Sequence, residues 1–210
     1  MNPRLPSILL IAVVGLWASN DTANSQGRHG DVLVTVTNEK IMALPAGGSA
    51  NEEGLAVDEM VAKTAARGQT GFAQTSTRLL GFSSELRRWT DMPLGAEERV
   101  ERHHILPRLI VVQTNRQLYG FQEGRGHWTT ESLGTNEQAK QLYGRGHVAV
   151  VITTERALAF SSFTGGLFSF PWSTDERTLS VDETNDAVMV RTSARLLAFP
   201  SQTTEWVEVK

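Results

Sequence analysis

Thr114 to Trp128 reads TNRQLYGFQEGRGHW, and the chain says nearly the same thing before and after it. Thr37 opens TNEKIMAL, Thr75 TSTRLLGF, Thr153 TTERALAF and Thr192 TSARLLAF, at steps of 38, 39, 39 and 39 residues. Other positions keep phase. Trp89, Trp128 and Trp206 each stand 14 residues after their Thr, with Leu167 in that slot of the fourth copy. Glu98, Glu137 and Glu176 stand 23 after it and Glu59 stands 22 after Thr37, so the one-residue deletion lies inside the first copy. Periods near 40 residues belong to solenoids, propellers and arrays.

The residues around each Thr are short β-branched or apolar runs: VLVTVT, GFAQT, LIVVQT, VAVVIT and AVMVRT. Gly, Pro, Asn or Asp bounds them, which is the pattern of strands. Two polar residues follow each Thr before the next strand, so Thr-x-x-Arg predicts a tight hairpin turn. A third strand surrounds the Trp and a fourth follows the Glu, as in Gln138 to Tyr143. Four strands in about 39 residues is the content of one propeller blade, whereas a two-helix repeat would need apolar spacings of three and four that are missing here. The sequence therefore predicts an all-β, five-bladed β-propeller of four-stranded blades, roughly 20–57, 58–96, 97–135, 136–174 and 175–210. The pre-Thr strand is the second of each blade, which places the innermost strand of blade one at about Asn20 to Arg28.

Composition agrees with one medium globular domain: 210 residues, 40% hydrophobic, 20% charged, net charge −3. That balance gives no overall pull toward nucleic acid. Zero cysteines remove disulfides, thiolate nucleophiles and cysteine-ligated zinc. Arg4 and the eleven-residue apolar run Ile8 to Ala18, followed by SNDTANSQG, fit a secretory signal better than a membrane-crossing helix. Residues 1–18 are thus expected to be a signal peptide and 19–210 a single exported domain, periplasmic or extracellular, touching membrane only through that segment.

An apolar strand, Thr, two polar residues, Arg-Leu-x-Ala/Gly-Phe and then Trp resembles the repeat of pyrroloquinoline-quinone-type, or tryptophan-docking, propellers. LIVVQTNRQLYGFQEGRGHW and VMVRTSARLLAFPSQTTEW carry the resemblance, which covers about 31–210. It implies a blade design. The chain departs from cofactor-bearing members in having five repeats, short loops and no vicinal cysteines, so no cofactor is expected. Related propellers serve as noncatalytic scaffolds in the bacterial envelope.

The recurring residues have structural readings. Trp89, Trp128 and Trp206 should pack between blades with the indole N–H on a backbone carbonyl. Ala43, Gly81, Gly120, Ala159 and Ala198 share one phase, as expected where a large ring presses on the backbone. Lys40, Arg78, Gln117, Arg156 and Arg195 share another phase, and Glu59, Glu98, Glu137 and Glu176 a third. These two sets should meet at one end of the molecule and tie neighbouring blades.

Function should break the repeat. His103 and His104 lie in the inner strand of blade three, and adjacent strand residues face opposite ways, so they do not form a simple metal pair. No metal site and no catalytic residue is assigned; the hydrolase, nucleotide and zinc-protease motifs are missing. Sorting charges by end places Arg28, Arg67, Arg87, Arg88, Arg108, Arg125 and Arg145, with His29, His127 and His147, at one end. Acids crowd the other, and Asp182, Glu183 and Asp186 break the pattern in blade five. The expectation is a noncatalytic binding scaffold with Arg87, Arg88, Arg108, Arg125, Arg145, His103 and His104 as candidate binding residues. Its partner would be a protein or an anionic surface or glycan. The alternative is a small propeller hydrolase or a lectin.

Overall fold

In the computed structural model, residues 31–209 are described. The expected signal segment, the inner strand of blade one, Arg28 and His29 lie outside them.

Each marker threonine turns the chain. Thr75 Oγ1 accepts the N–H of Thr77 at 3.2 Å and of Arg78 at 3.0 Å, and donates to the Arg78 carbonyl at 3.1 Å. Thr37, Thr114, Thr153 and Thr192 make the corresponding bonds to Lys40, Gln117, Arg156 and Arg195. One hydroxyl satisfies the backbone groups of a tight turn, which is why Thr recurs there.

Among the described residues, the strands on either side build five antiparallel sheets. Sheet one has β1 (Val32–Val36), β2 (Lys40–Pro45) and β3 (Asn51–Gly54). Sheet two has β4 (Val61–Arg67), β5 (Thr70–Thr75), β6 (Arg78–Ser83) and β7 (Arg88–Pro93). Sheet three has β8 (Val100–Leu106), β9 (Leu109–Thr114), β10 (Gln117–Gln122) and β11 (His127–Ser132). Sheet four has β12 (Ala139–Arg145), β13 (Val148–Thr153), β14 (Arg156–Ser161) and β15 (Leu167–Pro171). Sheet five has β16 (Thr178–Glu183), β17 (Ala187–Thr192), β18 (Leu196–Pro200) and β19 (Val207–Val209). Strands follow one another in chain order within every sheet. Sheet one is three-stranded among the described residues, where the sequence predicts four.

The sheets pack one on the next. First strands adjoin along the series β4, β8, β12 and β16, and outer strands along β3, β7, β11 and β15. Serial packing of meander sheets with the first strands together is the arrangement of propeller blades. Each first strand bulges at the same phase, between Val61 and Lys63, Val100 and Arg102, Ala139 and Gln141, and Thr178 and Ser180. The bulges add twist where the strands crowd together.

A ring from each sheet rests on a small residue of the sheet before it. Phe121 covers Gly81, where a methyl group would lie 2.6 Å from the ring, and Phe160 covers Gly120. Phe82 clusters with Ala43, and Phe199 with Ala159. All four rings are fully buried, each contributing about 2–3 kcal/mol of apolar burial. The tryptophans add a directional bond to the preceding sheet: Trp89 Nε1 donates to Asn51 O at 3.1 Å, Trp128 to Thr90 O at 2.9 Å and Trp206 to Phe168 O at 2.9 Å. The expectation for the tryptophans holds, and that for the small residues holds at Ala43, Gly81, Gly120 and Ala159 but not at Ala198, which no ring covers among the described residues.

Candidate binding surface

The two ends of the stack differ in how their charges are used. At the end that carries the marker threonines, the arginines three residues after the threonine are consumed by structure. Each connector between sheets ends in a Glu whose carboxylate accepts the N–H three residues back, as Glu59 does from Ala56 and Glu137 from Gly134, both at 2.9 Å. Arg78 then binds Glu59 through Nε at 2.8 Å, and Glu53 and the Gly54 carbonyl of sheet one at 2.8 and 2.7 Å. Arg156 does the same with Glu137 at 2.9 Å and, across to sheet three, Glu131. Arg195 holds Glu176 at 2.7 Å and stacks on Phe170 of sheet four, 4.6 Å from the ring centre. Bonding to Arg78 and Arg195 holds Glu59 and Glu176 down at about 2. The predicted tie between blades is therefore present, and it occupies the guanidinium groups of Arg78, Arg156 and Arg195, while Arg99 and Arg177 at the same end stay exposed outside it.

Copy three is built differently. Gln117 stands in the arginine slot, and Glu98 accepts instead from Thr114 Oγ1 at 2.6 Å and Tyr119 Oη at 2.8 Å. Burial works against ionisation of Glu98, but these donors and the Gly95 N–H outweigh it and its carboxyl stays below the ordinary range. Burial, with the Glu98 charge beside it, pushes the Tyr119 hydroxyl up.

The opposite end holds the arginines that the sequence singles out. Arg87 and Arg88 sit side by side at the turn between β6 and β7, Arg87 with a left-handed backbone (φ 53°). The Arg87 guanidinium lies against Gly48 in the β2–β3 turn of sheet one. Arg88 Nη2 reaches the Arg125 carbonyl of sheet three at 3.5 Å, and Arg125 closes a short 3₁₀ turn, Glu123–Arg125. Neighbouring residues of one turn thus lean to the two flanking sheets. Arg87, Arg88 and Arg125 are exposed and form no ion pair among the described residues. They make a basic crest over sheets one to three.

The other candidates are placed differently. Arg108 is 2.8 Å from Glu85 and 3.3 Å from Glu123, so its charge is matched within the protein. Arg145 is exposed at the end of β12, in sheet four, and no hydrogen bond joins it to the crest. His103 stacks on Phe72 of sheet two at 5.5 Å, while His104 turns toward Gly144 of sheet four. Burial lowers the pKa of both, with the charges of Lys63 and Arg67 adding to it. The histidines serve the packing between sheets.

Sequence reasoning missed Glu85 and Glu123. Glu123 is fully buried and accepts from Ser83 Oγ at 3.2 Å and the Glu85 N–H at 3.0 Å. Its signal was available: copies two, four and five carry Ser84, Ser162 and Ser201 at that phase.

A cleft of about 290 Å³ lies between sheets three and four, lined by Glu101, Gln113 and Glu137 among others. Glu101 accepts from Gln113 Nε2 at 2.7 Å. Glu137 is taken up by Arg156, Thr153 and the Gly134 N–H, so Glu101, held by Gln113, is the only one of the two carboxylates without a cation. Among the described residues, no group of three or more His, Asp and Glu is placed to hold a metal ion.

No family model matches the chain, and no curated protein matches it. Solved structures to which it is similar include human WBSCR16, 9% identical over 88% of this chain and 65% of that one, with a TM-score of 0.41. Another is BamB from Moraxella catarrhalis, 15% identical over 87% and 62%, with a TM-score of 0.36. A third is YCF48 bound to D1 peptide, 14% identical over 86% and 63%, with a TM-score of 0.33. The chain spans less than two-thirds of the length of each.

Proposed function

We propose that this chain is an exported, noncatalytic binding scaffold of five propeller blades, and that its basic crest takes an acidic protein segment. The observation that carries the reading is the gathering of three exposed arginines on adjacent turns of one end. Arg78, Arg156 and Arg195 are spent on buried glutamates, whereas Arg87, Arg88 and Arg125 face solvent unpaired among the described residues. Guanidinium groups held on adjacent turns bond carboxylates in pairs and raise the local potential, which favours a partner with closely spaced acids. In this reading residues 1–18 direct export and are removed. A glycosidase working through paired carboxylates would require a second free carboxylate facing Glu101, and Glu137 is taken up by Arg156.

The probe is a fluorescein-labelled polyglutamate peptide, followed by anisotropy at low and raised ionic strength. Binding should weaken with salt and fall roughly tenfold or more in the Arg87→Glu, Arg88→Glu, Arg125→Glu triple variant. The Arg99→Glu, Arg116→Glu, Arg177→Glu variant, altered at the opposite end, should bind nearly as the parent does. Equal losses in both variants, or no binding at low salt, would refute the crest as the site.

A further inference from the structure

The ring-on-small-residue contact runs through the whole stack and stops short at both ends. Seven residues after each marker threonine stand Leu44, Phe82, Phe121, Phe160 and Phe199. The four phenylalanines are buried to 1% exposure or less; Leu44 is 43% exposed. One residue earlier stand Ala43, Gly81, Gly120, Ala159 and Ala198. The first four are fully buried, and Ala198 alone is partly open. So, among the described residues, the first knob and the last socket are the unused members of the series.

Their surroundings match. Leu33, 61% exposed, pairs across from Leu44 on the outer face of sheet one, with Met42 on the same face. On the outer face of sheet five, Ala198 is flanked across the sheet by Met189 and Val207, 37% and 50% exposed, and Val209 lies beyond at 43%. No backbone hydrogen bond joins sheet one to sheet five among the described residues. Each face is an apolar surface whose counterparts between the inner sheets are buried or half-buried.

We propose that the outer face of sheet one docks on the outer face of sheet five in a second copy of this chain, with Leu44 seated on Ala198. The contact is head-to-tail, so it closes into a ring of copies or continues as a chain of them. It is weaker than the internal contacts, because Ala50 occupies the slot where later copies carry Trp89, Trp128 or Trp206 and no indole reaches the Val207 carbonyl. The association is therefore concentration-dependent and independent of the basic crest.

Sedimentation velocity on the purified full chain across a concentration series reads this directly. The parent should move from monomer to larger species as concentration rises. Leu44→Asp, which spoils the first face, and Val207→Asp, which spoils the last, should each sediment as monomer. An equimolar mixture of the two retains one competent pair of faces and should give a 1:1 dimer and nothing larger. Since the chain has no cysteine, the Leu44→Cys, Ala198→Cys variant adds a covalent test that does not depend on the aspartates folding. Oxidation should join separate copies on a non-reducing gel. A parent that stays monomeric throughout, association that survives both aspartate variants, or a crosslink confined within one chain would each overturn the proposal.

Discussion

The ring of Phe121 lies on the backbone of Gly81, so closely that even a methyl group there would come within 2.6 Å of it. This relationship, repeated along the stack, makes each sheet a bed for the next. Phe160→Ala should therefore cost about 3–5 kcal/mol in denaturant unfolding, since it empties a fully buried site between two sheets. Leu44→Ala, at the open end of the same series, should cost under about 1 kcal/mol.

Arg78 predicts a second contrast. Arg78→Met leaves the carboxylate of Glu59, 2% exposed, without its cation and removes the bridge to sheet one. Breaking such a pair from one side should destabilise by roughly 3 kcal/mol. Lys40 occupies the same slot in copy one, but its partner Glu52 is half exposed, and Lys40→Met should cost less than about 1 kcal/mol by the same measurement.

Copy three offers a compensation that is open to test. Tyr119 Oη and Thr114 Oγ1 do for Glu98 what an arginine does elsewhere. Tyr119→Phe should cost about 1–3 kcal/mol by leaving a buried acceptor short of a donor. Adding Gln117→Arg to that variant should restore much of the loss, because copies two, four and five show an arginine at that phase reaching the connector glutamate.

The connector glutamates and the two histidines set the acid response. Glu59 and Glu176 are held at about 2 in the folded chain against 4.5 ordinarily. A depressed carboxyl favours the folded state at neutral pH, and that stability drains away from about pH 4.5 down to about 2. His103 and His104 are lowered from 6.5, so the unfolded chain binds their protons first and stability starts to fall below about pH 6.5. Melting temperature should thus decline in two stages on acidification. His103→Phe with His104→Asn should flatten the upper stage and leave the lower one in place.

Much of this is legible in the sequence, and for identifiable reasons. Thr, Trp, Glu and the small residues recur at fixed phase because each solves a backbone problem that every sheet poses again. A turn needs a hydroxyl, an outer strand needs a donor for its carbonyl, and a ring needs a flat bed. The basic end was partly legible. Alternating turns placed Arg87, Arg88, Arg108 and Arg125 together, but whether a guanidinium is free depends on local partners. Glu85 and Glu123 claim Arg108 through a short 3₁₀ turn that occurs in copy three alone. His103 and His104 were separated correctly by strand alternation, while their contacts with Phe72 and Gly144 depend on the spacing between sheets, which no single repeat encodes. The uncovered ends were hidden for the same reason: Leu44 and Ala198 look like ordinary members of their series until their neighbours are placed.

A double-mutant cycle on Gly81 and Phe121 tests the interlocking of the sheets most directly. Gly81→Ala pushes a methyl into the ring, and Phe121→Leu shrinks the ring, so each should destabilise in urea unfolding by about 1–3 kcal/mol. If the ring rests on that glycine, the smaller side chain makes room for the methyl, and the double variant should lose less than the sum by about 1 kcal/mol or more. Losses that simply add would mean that the two residues do not meet, and the account of how these sheets hold one another would be wrong.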